Sequence, residues 1–266
     1  MLSEDYGILC AMGNLKQIMY GVTDFARMRA ENGYFVDHTG LIRELEKTSF
    51  ALFLRPRRFG KSLLCSILQC YYDVDYADRF EELFGGLDIG KNPTDEHGKY
   101  LWLDFNFSGV EKKFENVQAS FDGIVSERLD VFAKRHAKDL PPGAAESILA
   151  KKTCHAKLNA LVTRLKGSGV KIYVCIDEYD NFTNTILAES RENYVALCHG
   201  EGFFKQFFNE LKLAATNTGA PITRLFITGV TPVMKSRVIG ASTPVVASFS
   251  SLKNCLKNPS PWHSAS

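Results

Sequence analysis

The sequence predicts an α/β fold in which a parallel sheet carries helices on both faces. Three observations predict it. Strand-like segments alternate with amphipathic helical ones along the chain. The strand segments are continuous apolar runs, as expected of strands covered on both sides. The residues with the most chemistry follow the carboxyl ends of those runs, the edge where open parallel sheets bind ligands.

The elements follow in order. Residues 1–19 read as a leader, loosely attached to about Gln17, with Glu4 and Asp5 where a secretory signal would carry basic residues. Thr23 or Asp24 caps a short helix through Ala30, which Glu31-Asn32-Gly33 breaks. Tyr34-Phe35-Val36 reads as a short strand, and Asp37 or Thr39 caps the helix holding Leu41, Ile42 and Leu45. Phe50-Ala51-Leu52-Phe53-Leu54 is the first buried strand. After Lys61-Ser62 the spacing of Leu63, Leu64, Ile67, Leu68 and Tyr71 is helical. A polar segment with Phe80, Leu83 and Phe84 at helical spacing ends at Gly85-Gly86.

Leu101-Trp102-Leu103-Asp104-Phe105 is the second strand. One long helix buries Phe114, Val117, Phe121, Ile124, Val125 and Phe132. A second, after Pro141-Pro142-Gly143, carries Ile148, Leu158, Leu161 and Leu165. Lys171 to Ile176 is the third strand. A helix with Phe203, Phe204, Phe207, Phe208, Leu211 and Leu213 precedes the fourth strand, Arg224-Leu225-Phe226-Ile227. Residues 235–266 are rich in Ser and Pro without periodicity and read as a flexible tail. The organising expectation is therefore one domain over residues 20–234.

Composition narrows the function classes. The chain has 266 residues, 45% of them hydrophobic, enough for a full core. A formal net charge of +2 gives no general case for nucleic acid, although a local basic patch stays open. The seven cysteines (Cys10, Cys65, Cys70, Cys154, Cys175, Cys198, Cys255) are scattered, with no C-x-x-C pair, and read as buried reduced thiols. That usage fits a cytoplasmic protein. No stretch has the length of a membrane span.

The site is read from three segments. Strand, loop, Gly60-Lys61-Ser62 and helix is the layout of a phosphate-binding P-loop. Backbone N–H groups at the helix start face an anion, and Gly60 lets them approach it. The loop expected to bind nucleotide runs over Arg58, Phe59, Gly60, Lys61, Ser62 and Leu63. Lys61 reaches the β- and γ-phosphates, and the Ser62 hydroxyl holds Mg²⁺. The loop departs from the usual pattern: Arg55 stands where a glycine is usual, and Pro56 removes a backbone donor. Arg57 and Arg58 contact phosphate, contact a partner, or are simply solvated.

Asp177-Glu178 at the end of the third strand has the form of a Walker B pair. Asp177 holds Mg²⁺ together with Ser62, and Glu178 takes a proton from the attacking water. Thr228 closes the fourth strand as a sensor of water or γ-phosphate, or as a hydroxyl satisfying backbone groups. Asp180 and Asn181 either support the site from behind its ligands or are plain turn residues, the turn being favoured, and Asp104 has no assigned role.

The segments YGVTDF, GYFVDHTGLI, FLRPRRFGKSLL, ELFGGLDIG, LDFNFSG, VCIDEYDNF and RLFITGVTPV together resemble the AAA-ATPase-like family of P-loop proteins, over roughly Tyr20 to Val233. The resemblance implies a P-loop NTPase-like sheet of the additional-strand type. It implies ATP binding through Gly60, Lys61 and Ser62, with Asp177 and Glu178 as the Walker B pair. Members are often fused to a PD-(D/E)XK nuclease-like domain, which does not follow here, so a truncated or frame-altered member is expected.

Three functions remain open on sequence. The favoured one is an Mg²⁺-dependent ATPase that couples nucleotide state to a protein partner or a second copy of the chain. The second is a switch that holds ATP without turnover. A small-molecule kinase is the weakest, because Glu178 suits water activation better than phosphoryl transfer.

Overall fold

A computed structural model of the chain describes residues 16–198 and 202–232. The four apolar runs form β1 (Phe50–Leu54), β2 (Leu101–Asn106), β3 (Ile172–Asp177) and β4 (Ile222–Gly229). All neighbours pair in parallel, in the order β1-β4-β3-β2. The expected α/β architecture is present, a four-stranded parallel sheet flanked by helices.

The helices, in chain order, are α1 (Phe25–Ala30), α2 (Ile42–Leu45), α3 (Lys61–Tyr72), α4 (Phe80–Phe84), α5 (Asp88–Lys91), α6 (Phe114–Arg135), α7 (Ala144–Leu149), α8 (Cys154–Leu165), α9 (Asn181–Glu189), α10 (Arg191–Cys198) and α11 (Phe203–Thr216). Strand side chains alternate between faces, and the core divides accordingly. Leu101, Leu103, Phe105, Ile172, Val174 and Ile176 point to one side, where α6, α8 and α11 cover them. Trp102, Tyr173, Cys175 and Phe226 point to the other, under α1, α3 and α4. β3 is buried along its whole length, which is why its sequence shows no polar alternation.

α11 illustrates the energetics. Phe203, Phe204, Phe207, Phe208 and Leu211 are all buried, and burying one such side chain contributes about 1.5–3 kcal/mol. Phe204, Phe207 and Phe208 meet one another and Phe105, Phe107 and Phe121 with centroids between 5.1 and 6.4 Å.

Several sequence expectations need correction. Residues 34–36 are not a strand. Tyr34 and Val36 are exposed, and only Phe35 packs inward, 5.4 Å from Phe25. The helix expected to hold Ile148 through Leu165 is two, because Thr153 accepts from the Ala156 N–H and starts α8 afresh. α9 and α10 lie in a stretch where no helix was read. Asp24 is the cap of α1, accepting from Arg27 N–H. Asp37 accepts from the N–H and hydroxyl of Thr39 and from Asp88 N–H. Asp104 pairs with Arg128 of α6.

The leader and tail read from the sequence fall mostly outside the described residues, but Gln17 pairs with Gly33 as an isolated bridge. The described cysteines Cys65, Cys70, Cys154, Cys175 and Cys198 are free thiols. Among the described residues no helix is long and apolar enough to cross a membrane.

Candidate functional site

The parallel register brings the three candidate segments to one edge. Phe53 pairs with Thr228 and Leu54 with Gly229, while Ile176 pairs with Ile227, so Asp177 ends beside Thr228. The phosphate-loop candidate leaves β1 at the same level, with Arg55 N–H donating to Gly229 O at 3.0 Å.

Gly60 is the N-cap of α3 at φ +70 and gives that helix no side-chain cap. Its conformation favours glycine. A Cβ built there meets no atom within 4 Å, so the space over the helix start is open. The N–H groups of the first helical turn have no partner within the helix. No acidic side chain stands in that turn. Together these features are the ones an anion needs at a helix start.

Lys61 is buried at 6% exposure. Its ammonium folds back onto its own loop, donating to Arg55 O at 3.1 Å and Pro56 O at 3.0 Å. Pro56, which has no N–H to offer, thus contributes through its carbonyl. Leu63 follows in the same turn, half-buried. Arg57, Arg58 and Phe59 lie exposed on the outside of the loop, with Arg58 at φ +67. The Arg55 guanidinium sits 5.6 Å from the Phe53 ring centroid.

Asp177 is the centre of the acidic half. It is 6% exposed and receives the Ser62 hydroxyl at 2.6 Å on one oxygen. Its other oxygen accepts from the Thr228 hydroxyl and, at 3.0 Å, from Glu178 N–H. Hydroxyls from α3 and β4 therefore converge on one carboxylate from β3. A hydroxyl and a carboxylate side by side are the hard oxygen donors that Mg²⁺ takes, so Ser62 and Asp177 fit the cation assigned to them.

Glu178 is half-buried and adopts φ +53, a left-handed conformation uncommon for a residue with a side chain. Strain of this kind is held only where surroundings fix it. Here Thr228 Oγ1 accepts from Glu178 N–H at 3.3 Å, and Thr228 O from Tyr179 N–H at 3.0 Å. The Glu178 carboxylate accepts from Asn181 Nδ2 at 2.5 Å.

Reading Asp180 as a plain turn residue missed its environment. It is 1% exposed and accepts from Val230 N–H, Thr231 N–H, the Thr231 hydroxyl and Asn184 Nδ2. Nothing local in the sequence signals this, since those partners on β4's exit are 50 residues away. Asn181, also read as a turn, reaches Glu178.

Among the described residues two other groups combine metal-ligand side chains, Asp122 with Cys154 and His155, and Asp73 with Asp75 and His136. The carboxylates of both have internal partners, whereas the ring nitrogens of buried His136 have no hydrogen-bond partner among the described residues. The Cys154 thiol donates to Asp122 at 3.2 Å, and burial with that carboxylate pushes it up to about 12. Arg135 spans Asp73 and Asp75, at 2.6 Å from each.

The AAA-ATPase-like family, described as "Predicted AAA-ATPase", matches residues 19–239. The chain is also similar to a protein of Azotobacter chroococcum mcd 1 described as "Uncharacterized protein in vnfD 5'region". The two are 26% identical over 178 residues, which is 62% of this chain. The chain spans 29% of that relative's length.

Proposed function

Since the chain belongs to the AAA-ATPase-like family, we propose that it binds ATP with Mg²⁺ on the carboxyl edge of its sheet and hydrolyses it. Membership supports ATP binding in general terms; the residue assignments and turnover are our reading. A single P-loop domain over residues 20–234 carries the activity, in the cytoplasm. β4 lies between the loop-bearing β1 and the acid-bearing β3, which supports the additional-strand type of P-loop NTPase.

The observation that carries the reading is the convergence of Ser62 and Thr228 on Asp177, beside a buried Lys61. Lys61 binds the β- and γ-phosphates, leaving the two carbonyls that now hold it. The N–H groups of Gly60, Lys61, Ser62 and Leu63 receive phosphate oxygens, with Arg58 and Phe59 flanking the nucleotide. Ser62 and Asp177 hold Mg²⁺, which when bound neutralises charge on the phosphates. Glu178 orients the attacking water and accepts its proton. Thr228 keeps Asp177 and Glu178 in register and senses the γ-phosphate side. The nucleotide state is passed to a protein partner or to a second copy of the chain.

A second reading, an ATP-holding switch without turnover, draws on the Asn181 amide that occupies the Glu178 carboxylate. Both are tested by titrating a fluorescent ATP analogue with and without Mg²⁺ and following phosphate release. Binding with release supports the ATPase, binding without release the switch, and no binding sinks both.

A further inference from the structure

We propose that Asp180 is a positioning residue of this site. It pins the exit of β4 against the acidic pair, so that Thr228 and Glu178 face the phosphate loop together. The catalytic consequence rests on the ATPase reading above; the structural one rests on packing alone.

A buried carboxylate is costly unless its lone pairs are met. Here uncharged donors meet them. Val230 N–H lies 3.1 Å from Asp180 Oδ1 and 2.9 Å from Oδ2. Thr231 N–H, the Thr231 hydroxyl and Asn184 Nδ2 reach Oδ2 at 2.6, 2.7 and 2.8 Å. The Thr231 hydroxyl lies equally close to Asn184 Oδ1, at 2.7 Å, which ties Asn184 into the same cluster. A plain helix cap does not account for it. Asp180 stands at the N-cap position of α9, yet its side chain makes no cap hydrogen bond there. Its main partners are instead the two residues that follow β4.

Its neighbours reinforce the grip. The Tyr179 hydroxyl donates to Thr231 O at 2.6 Å. A Cβ at Gly229 would come within 2.4 Å of the Tyr179 ring and 2.6 Å of Asp180 Oδ1, so only glycine lets β4 seat so closely. The same Gly229 carbonyl holds Arg55 N–H at the root of the phosphate loop. Through Thr228 the end of β4 also holds Asp177, Glu178 and Tyr179. Loosening Asp180 therefore frees the strand end to which both halves of the site are fastened.

The test uses the full chain carrying Asp180→Asn, which keeps the shape but turns one acceptor into a donor facing N–H groups. Phosphate release at saturating ATP falls about tenfold or more, while KM and analogue affinity stay within about threefold. The melting temperature falls, because the amide leaves buried donors unpaired, and amide exchange at Val230 and Thr231 accelerates more than in the rest of the sheet. Thr231→Val, which spares both backbone donors, lowers release about two- to fivefold in the same pattern. Wild-type turnover and wild-type exchange in folded Asp180→Asn overturn the inference. Should Asp180→Asn not fold, the same readouts on Thr231→Val decide, and wild-type values overturn it. Should the unaltered chain release no phosphate, the ATPase reading falls, and unchanged exchange at Val230 and Thr231 in the variants still overturns the positioning role.

Discussion

Ser62, in the first turn of α3, donates its hydroxyl to Asp177 at the end of β3 over 2.6 Å, across 115 residues of sequence. That contact joins the start of α3, the phosphate-loop candidate, to the acidic end of β3.

The pair should behave as a coupled unit. Ser62→Ala and Asp177→Asn, measured singly and together by chemical denaturation, should give a coupling energy of about 0.5–1.5 kcal/mol. Additive effects would mean that the contact contributes nothing to the folded chain.

Lys61→Ala should weaken ATP binding by about tenfold or more, since a buried ammonium beside the helix start is the site's main fixed charge toward phosphate. A fluorescent ATP analogue titrated into both proteins measures it. Equal affinity would remove Lys61 from the phosphate site.

Gly229→Ala should cost stability by about 1–3 kcal/mol, because the added methyl meets the Tyr179 ring at 2.4 Å in a packed region. Thermal or urea unfolding reads this directly. An unchanged midpoint would show that β4 and Tyr179 have room to separate.

Much of this arrangement was legible in the sequence, for physical reasons. β3 is buried along its whole length and β1, β2 and β4 over part or most of theirs, so each reads as a mainly apolar run. Gly60-Lys61-Ser62 and Asp177-Glu178 stand next to strand ends, where local spacing suffices to find them. What stayed hidden depends on distant partners. Asp180 and Asn181 have the composition of any polar turn until β4's exit and the Glu178 carboxylate are brought to them. Residues 34–36 have strand-forming side chains, but among the described residues their only such neighbour is the isolated bridge at Gln17, which takes the Tyr34 N–H, and only Phe35 finds a core. Thr153 carries a cap signal, but apolar spacing that continues across it obscures the break between α7 and α8.

Two buried groups should shape stability against pH in opposite senses. Burial lowers the pKa of His136, so the unfolded chain binds the extra proton first, and stability should fall as pH drops through about 6.5. Burial raises Asp73 from 3.8 to about 6 despite Arg135, so its contribution is full at low pH and is lost as pH rises through about 6. Urea unfolding between about pH 4 and 8 separates them. His136→Phe should remove the acid-side loss, and Asp73→Asn the opposing gain. A wild-type pH profile in both variants would contradict the assignment.

The central claim, that Glu178 activates water at an ATP site built on Lys61, Ser62 and Asp177, is tested most directly by Glu178→Gln. Analogue affinity and phosphate release would be measured side by side on the variant and the unaltered chain. The account predicts equal affinity for both and release only from the unaltered chain. Release from Glu178→Gln at the unaltered rate would contradict it.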